Sequence, residues 1–163
     1  MIRNLLLVAA LVLSPVAAQA GAPAVVSGGP RVGLSSDSGT DQIVLGGQLS
    51  LPEFAPDWSF VPSLELGFGD DASVIALNFD ALYHLRFADS DWRPYLGGGL
   101  GVGFVSVDLP PPYHDASDTV VGVNAVMGFS VPTNSGDHWF AELRLGLGDL
   151  PDLKIIGGFN FKM

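Results

Sequence analysis

The sequence predicts an all-β chain folded as an eight-stranded antiparallel up-and-down barrel that crosses a membrane on its strands. Three observations carry this. Apolar and polar-or-glycine positions alternate from Arg31 onward, in segments separated by Asp, Gly, Pro, Asn and Ser clusters. The segments number eight, an even count that lets the last strand close on the first. One face of each segment carries no Asp, Glu, Lys, Arg or His, while glycine and all the strand charges fall on the other.

Composition narrows the alternatives. Of 163 residues 21 are glycine, only 15% are charged, and 7 Lys+Arg against 17 Asp+Glu give a net charge of −10. High apolar content with few charges excludes a disordered chain. The absence of cysteine removes disulfide scaffolds, thiolate metal sites, thiol nucleophiles and a lipid-anchoring cysteine. An acidic chain without Lys/Arg clusters is a poor partner for nucleic acid.

Residues 1–20 read as an export signal ahead of a single barrel domain over 21–163. Arg3 supplies the positive start, Leu5 to Val16 the short apolar run, and Ala18-Gln19-Ala20 the small-x-small cleavage pattern. Pro15 interrupts a run already too short to span a bilayer as a helix. The first strand, 31–36, is short because Pro30 limits its extension, which leaves its seal against the last strand in question. Asp37-Ser38-Gly39-Thr40 turns the chain into 42–51, and Pro52 to Asp57 turns it into 58–68. Pro62 removes a ladder donor from that third strand, so a bulge is expected there. Gly69-Asp70-Asp71 leads into 73–87, Ala88 to Asp91 into 92–107, and the long 108–118 segment into 119–131. Pro132 to Asp137 and Gly148 to Asp152 bound the last two strands, 138–147 and 153–163.

Alternation does not say which face is outside; volume does. About three dozen large apolar side chains cannot fit a lumen that eight strands make only just wide enough for side chains. The exterior would then be glycine and a few charges, a poor soluble surface. Small and polar residues therefore fill the interior and the apolar band meets lipid. Trp58, Trp92 and Trp139 all stand at the start of odd-numbered strands on the apolar face, where they share one rim with Phe87, Phe129 and Phe161. That cluster is the expected aromatic girdle at a membrane interface.

The run Trp92-Arg93-Pro94-Tyr95-Leu96-Gly97-Gly98-Gly99-Leu100-Gly101-Val102-Gly103-Phe104 resembles the central strand of small outer-membrane β-barrel proteins of the OmpA/OmpX type. The ending Gly158-Phe159-Asn160-Phe161-Lys162-Met163 is similar to their C-terminal assembly signal, although it finishes in Met rather than Phe. The resemblance implies both termini in the periplasm and insertion by the barrel-assembly machinery. It also implies residence in the outer membrane of a Gram-negative-type envelope, among its lipid and lipopolysaccharide.

The charges then sort by place. Setting Glu65, Asp80 and Glu142 aside, the other fourteen of the seventeen acids lie in loops and turns, and divalent cations are expected to bridge those of the outer loops 36–41, 69–72, 108–118 and 148–152 to anionic lipopolysaccharide. The cations Arg31, Arg86, Arg93, Arg144, Lys154 and Lys162 face the lumen. Within it, Glu65, Asp80, Arg86, Glu142 and Arg144 are expected to form a structural ion-pair network, because buried charges are tolerable only when paired. Register sets Arg86 opposite Arg93, a like-charge pair that Asp80 or the Asp89/Asp91 turn has to offset.

No enzyme, cofactor or metal site is expected. The glycines at 97–103 lack the Gly-Lys-Ser/Thr ending of a phosphate loop and do not fit G-x-G-x-x-G. His84, His114 and His138 are scattered without metal-ligand spacing. Ser63, His84 and Asp80 could be strung into a hydrolytic set of the kind used by lipid A-modifying barrels, but ordinary lumen filling explains them as well. The expectation is a monomeric, non-enzymatic barrel with a structural or surface-interaction role. The alternatives are a narrow porin-like pore, or a secreted soluble barrel holding a small apolar ligand.

Overall fold

The computed structural model describes residues 25–37, 40–69, 72–87, 90–107 and 116–163. The export signal expected over 1–20 lies outside the described residues. Eight strands follow in order: β1 (Ser27–Asp37), β2 (Thr40–Ser50), β3 (Trp58–Phe68), β4 (Ala72–His84), β5 (Arg93–Val107), β6 (Ala116–Pro132), β7 (His138–Gly148) and β8 (Leu153–Lys162). Each pairs antiparallel with its neighbour, and β1 closes on β8 to complete the barrel. Closure leaves no edge strand exposed.

Prolines explain where the observed strands depart from those expected. β1 is longer than 31–36. It begins at Ser27 and runs through Pro30, which pairs with Gly47 of β2. On its other side the β1–β8 register holds at Ser27↔Lys162, Gly28↔Phe161 and Arg31↔Gly158, skipping Gly29 and Pro30. The missing donor interrupts pairing for two residues, and the barrel is sealed. Pro62 needs no bulge either. The β3–β4 ladder passes through Pro62↔Phe79 in constant register, while the β2–β3 ladder ends at Gln48↔Ser63, beside the proline. The amide of Leu51 resumes contact by donating to the Phe60 carbonyl at 3.0 Å. β4 stops at His84 rather than 87. Leu85 donates to the Pro94 carbonyl at 2.8 Å, but Pro94 has no N–H to return, so the ladder ends there.

The turns beside the termini are tightly bonded. Asp57, with φ 65°, takes the left-handed conformation that Asp tolerates better than most residues, and its carbonyl accepts the His84 amide at 2.8 Å. The turn after β6 closes through Thr133 N–H to the Asp137 carbonyl at 2.8 Å, with Gly136 at φ 90°. The Asp137 carboxylate accepts the Ser135 hydroxyl at 2.6 Å and the Lys162 amide at 3.0 Å, bonds that hold its pKa below the ordinary carboxylate range.

The faces divide as the alternation predicts, with the apolar side outward. Leu100 is 59% exposed and Leu147 62%, and Val32, Ile43, Phe79, Phe104, Val123, Met127 and Ile155 are exposed with them. At the rim shared by the chain termini, Trp92 stacks on Phe129 (centroids 4.9 Å apart), Trp139 meets Phe159 edge-on (4.6 Å), and Trp58 packs on Tyr83 (5.3 Å). Trp58 opens β3 and Trp139 is second in β7, whereas Trp92 stands one residue before β5 begins.

The interior is less purely polar than expected. Val61, Leu82, Tyr95 and Val126 form one buried cluster and Val44, Phe140 and Ile156 another. Glycine makes the room for the larger of these. A β-carbon on Gly158 would fall 2.4 Å from Phe140 Cζ, and one on Gly128 would fall 2.8 Å from the Tyr95 hydroxyl. Close packing accepts no such overlap, so each inward ring faces a position without a side chain.

Candidate functional site

The core of the lumen is a chain of six charges in strict alternation, carried on five strands. Lys154 Nζ of β8 lies 2.8 Å from Glu65 Oε2 of β3, and Glu65 Oε1 lies 3.3 Å from Arg31 Nε of β1. Arg31 Nη2 donates to Glu142 Oε2 of β7 at 2.7 Å, and the same oxygen accepts Arg144 Nε at 3.0 Å. Arg144 Nη2 completes the chain by donating to Asp80 Oδ2 of β4. The order Lys154–Glu65–Arg31–Glu142–Arg144–Asp80 has three cations and three anions, so the cluster is neutral. All six side chains are buried. Period-two alternation turns each of these residues inward, and the narrow lumen brings opposite walls within bonding distance.

Neutral groups add to the coordination, which leaves Asp80 Oδ1 and Arg144 Nη1 without a hydrogen-bond partner among the described residues. Tyr95 Oη donates to Glu142 Oε1 at 2.9 Å, so Glu142 binds Arg31, Arg144 and Tyr95 together. The Arg31 guanidinium also lies over the Phe140 ring, 5.9 Å from its centroid. Asn124 Nδ2 donates to Asn78 Oδ1 at 3.1 Å and Asn78 Nδ2 to Ser63 Oγ at 3.3 Å, a polar ledge across β6, β4 and β3.

Arg31 further orders the groups leading to the terminal rim. Its Nη1 donates to Gln48 Oε1 at 2.8 Å, Gln48 Nε2 donates to Asn160 Oδ1 at 3.2 Å, and Asn160 Nδ2 faces His138 Nε2 at 3.1 Å. A guanidinium can only donate, so it determines which end of each amide faces it. Passed along two amides, that polarity makes His138 Nε2 an acceptor and puts the ring proton on Nδ1.

Of the five residues expected in the network, the structure brings together Glu65, Asp80, Glu142 and Arg144. Arg86 is a correction. Its side chain is 70% exposed and pairs with Asp57 and with Glu53 (3.4 Å), both in the β2–β3 turn. β4 has already ended at His84, so Arg86 lies beyond the ladder and over the rim. The acids of that turn offset its charge, while Asp80 is taken by Arg144 and Asp89 lies outside the described residues. Arg31 and Lys154 take the places the anions require. Depth separates them in the closed barrel: Arg86, Arg93 and Lys162 fall by the terminal rim, Arg31 and Arg144 within their strands, and Lys154 near the far end of β8, whereas the sequence put Arg31 at the start of its strand. An exposed pair is worth about 0.2–1 kcal/mol. Arg86→Ala is therefore expected to shift the midpoint of urea unfolding only slightly, and a loss as large as that of a buried arginine would return Arg86 to the network.

Ser63, His84 and Asp80 do not form a catalytic set. Ser63 accepts from Asn78, Asp80 binds Arg144, and His84 Nε2 lies 2.8 Å from Ser59 Oγ. Among the described residues no three or more of His, Cys, Asp and Glu gather where they could hold a metal ion. The network pairs its charges across the lumen, so what it can do is brace opposite walls of the barrel.

No protein-family model matches the chain, and no curated protein matches it in sequence. Solved structures do match in fold. Neisserial surface protein A superposes with a TM-score of 0.68 at 18% identity, covering 85% of this chain and 96% of that one. The N-terminal β-barrel domain of Pseudomonas aeruginosa OprF gives 0.64 at 18% identity, covering 84% and 98%. Ail, the attachment invasion locus protein of Yersinia pestis, gives 0.53 at 15% identity, covering 84% and 97%. At these identities the likeness is one of fold, and the fold is that of the small eight-stranded outer-membrane barrels.

Proposed function

We propose that the chain is a non-enzymatic, monomeric barrel of the outer membrane, closed to permeation, with a structural role or one exercised through the loops at the mouth opposite its termini. The observation that carries this reading is the outward apolar belt, with Leu100, Val123, Met127, Leu145 and Ile155 exposed around the wall above a rim of Trp and Phe. A soluble barrel holding an apolar ligand needs the opposite polarity. The neighbours in fold favour the same assignment, since one is named a surface protein and another an attachment invasion locus protein. On this reading the termini face the periplasm, the barrel-assembly machinery inserts the chain, and lipid and lipopolysaccharide surround it.

Closure to permeation is supported by the neutral six-charge chain, whose members pair with one another across the lumen. The reading is tested by fractionating the envelope and running the protein with and without boiling. Recovery in the outer membrane as a monomer with heat-modifiable mobility is expected, and release by a salt wash as a soluble species would overturn it. Reconstituted in planar bilayers, the protein is expected to show no single-channel steps; regular steps would favour the pore reading instead.

A further inference from the structure

The loop joining β7 to β8 does not project away from the barrel. Leu150, at its centre, is only 5% exposed. It is turned into the far mouth by Gly148, whose φ of 90° ends β7, and the turn is fastened by Gly146 N–H to the Asp152 carbonyl at 3.2 Å. Three glycines on three strands form its seat. A β-carbon added to Gly101 of β5 would lie 2.8 Å from Leu150 Cδ1, one on Gly122 of β6 would lie 2.8 Å from Leu150 Cγ, and one on Gly146 of β7 would lie 3.0 Å from Leu150 Cβ. An ordinary side chain at these inward positions would fill the space that Leu150 occupies.

Beneath the leucine lies the polar interior. The hydrogen-bonded amides of Asn78 and Asn124 each approach the Gly101 position to 3.1 Å from below. Beside them a cavity of about 20 Å³ is lined by Leu150 and Pro151 above and by Ser35, Glu65 and Lys154 below and around. That volume holds about one water. Among the described residues, the loop therefore closes one side of a water-sized space beside the outermost ion pair of the network, with Val74, Val120 and Gln42 completing its wall.

We propose that the 148–152 loop is a lid on the far mouth of the lumen, with Leu150 as its plug, and that its opening admits solvent to the Glu65–Lys154 pair. The lid lies over the ion-pair chain and is a closure separate from it. Only the designation of this mouth as extracellular rests on the membrane orientation proposed above, and the test does not depend on that orientation.

The native chain has no cysteine, so a single Ser35→Cys reporter in the cavity wall reads lid opening directly. The full chain is folded in detergent micelles, and its reaction with a small cationic methanethiosulfonate is timed. Leu150→Ala removes the plug. Gly101→Ala unseats it from below, since the added methyl meets only side-chain ends and no backbone. Each is expected to raise the labelling rate at least tenfold over the reporter alone, while Leu150→Met, which conserves volume, stays protected. Retained heat-modifiable mobility establishes that each variant is a folded barrel. Labelling that is equally slow in the reporter, Leu150→Ala and Gly101→Ala backgrounds would overturn the proposal. So would a reporter that reacts as fast as a free thiol with Leu150 intact.

Discussion

Replacing Arg144 by Met is expected to destabilise the folded barrel by about 3–5 kcal/mol, the cost of leaving a buried charge without its partner. Arg144 bridges Glu142 and Asp80, and all three are buried. Its removal isolates Asp80 completely and leaves Glu142 dependent on Arg31 and Tyr95. The remaining cluster then carries one excess negative charge in a buried lumen. Alternation in the chain makes a sharper expectation possible. Adding Asp80→Asn to Arg144→Met removes the terminal pair and leaves Lys154–Glu65–Arg31–Glu142, which is again neutral and alternating. The double variant is thus expected to be more stable than Arg144→Met alone. Urea unfolding followed by tryptophan fluorescence measures both, and additive losses in the double variant would show that the charges do not act as one chain.

Placing arginine on the outer wall at Leu100 is expected to cost about 2–4 kcal/mol in a bilayer, the price of a cation at the membrane midplane of a barrel. Leu100 lies midway along β5, opposite Phe79 on β4 and Val123 on β6, and all three are exposed. In water a charge at such a position would be neutral or helpful to solubility. The same substitution therefore has opposite signs for a membrane barrel and a soluble one. Folding into lipid vesicles, measured against the parent chain, gives the sign. Unchanged or improved stability of Leu100→Arg would remove the lipid-facing assignment.

Both expectations depend on different parts of the reading from residues to structure. The outer face needed only local information. The spacing that puts Leu96, Leu100, Val102 and Phe104 on one side of β5 puts Tyr95, Gly97, Gly99 and Gly101 on the other, whatever the rest of the chain does. The turn clusters bounded all eight strands. Their ends were less legible, because they depend on which side of a strand a proline turns its missing donor. Pro30 and Pro62 both looked like breaks, yet each faces a short lapse in one ladder while the other continues. Pro94 produced the one effect that sequence reading assigned elsewhere, ending β4 at His84 and carrying Arg86 out of the lumen.

The buried site divides the same way. Inward placement of Glu65, Asp80, Glu142 and Arg144 follows from alternation, but the pairing of Arg31 with Glu142, 111 residues apart, does not. Partner choice across a lumen depends on strand stagger and on depth, which are properties of the closed barrel. The glycines illustrate the point most directly. Sequence reading took them for a narrow lumen lining, and at Gly101, Gly122, Gly128 and Gly158 each is an absence matched to a particular inward side chain: Leu150, Tyr95 or Phe140.

An antiparallel eight-stranded barrel with one apolar and one charged face was thus present in the alternation and the turn clusters, since a period of two assigns every residue to a face by local geometry alone, and the bulk of the apolar side chains then put that face outside. Which charges meet, which glycines hold which side chains, and the tucking of Leu150 into the mouth were decided only by closure. Those contacts join residues far apart in the chain, and no local pattern specifies the distance across a barrel until its strands have taken their register.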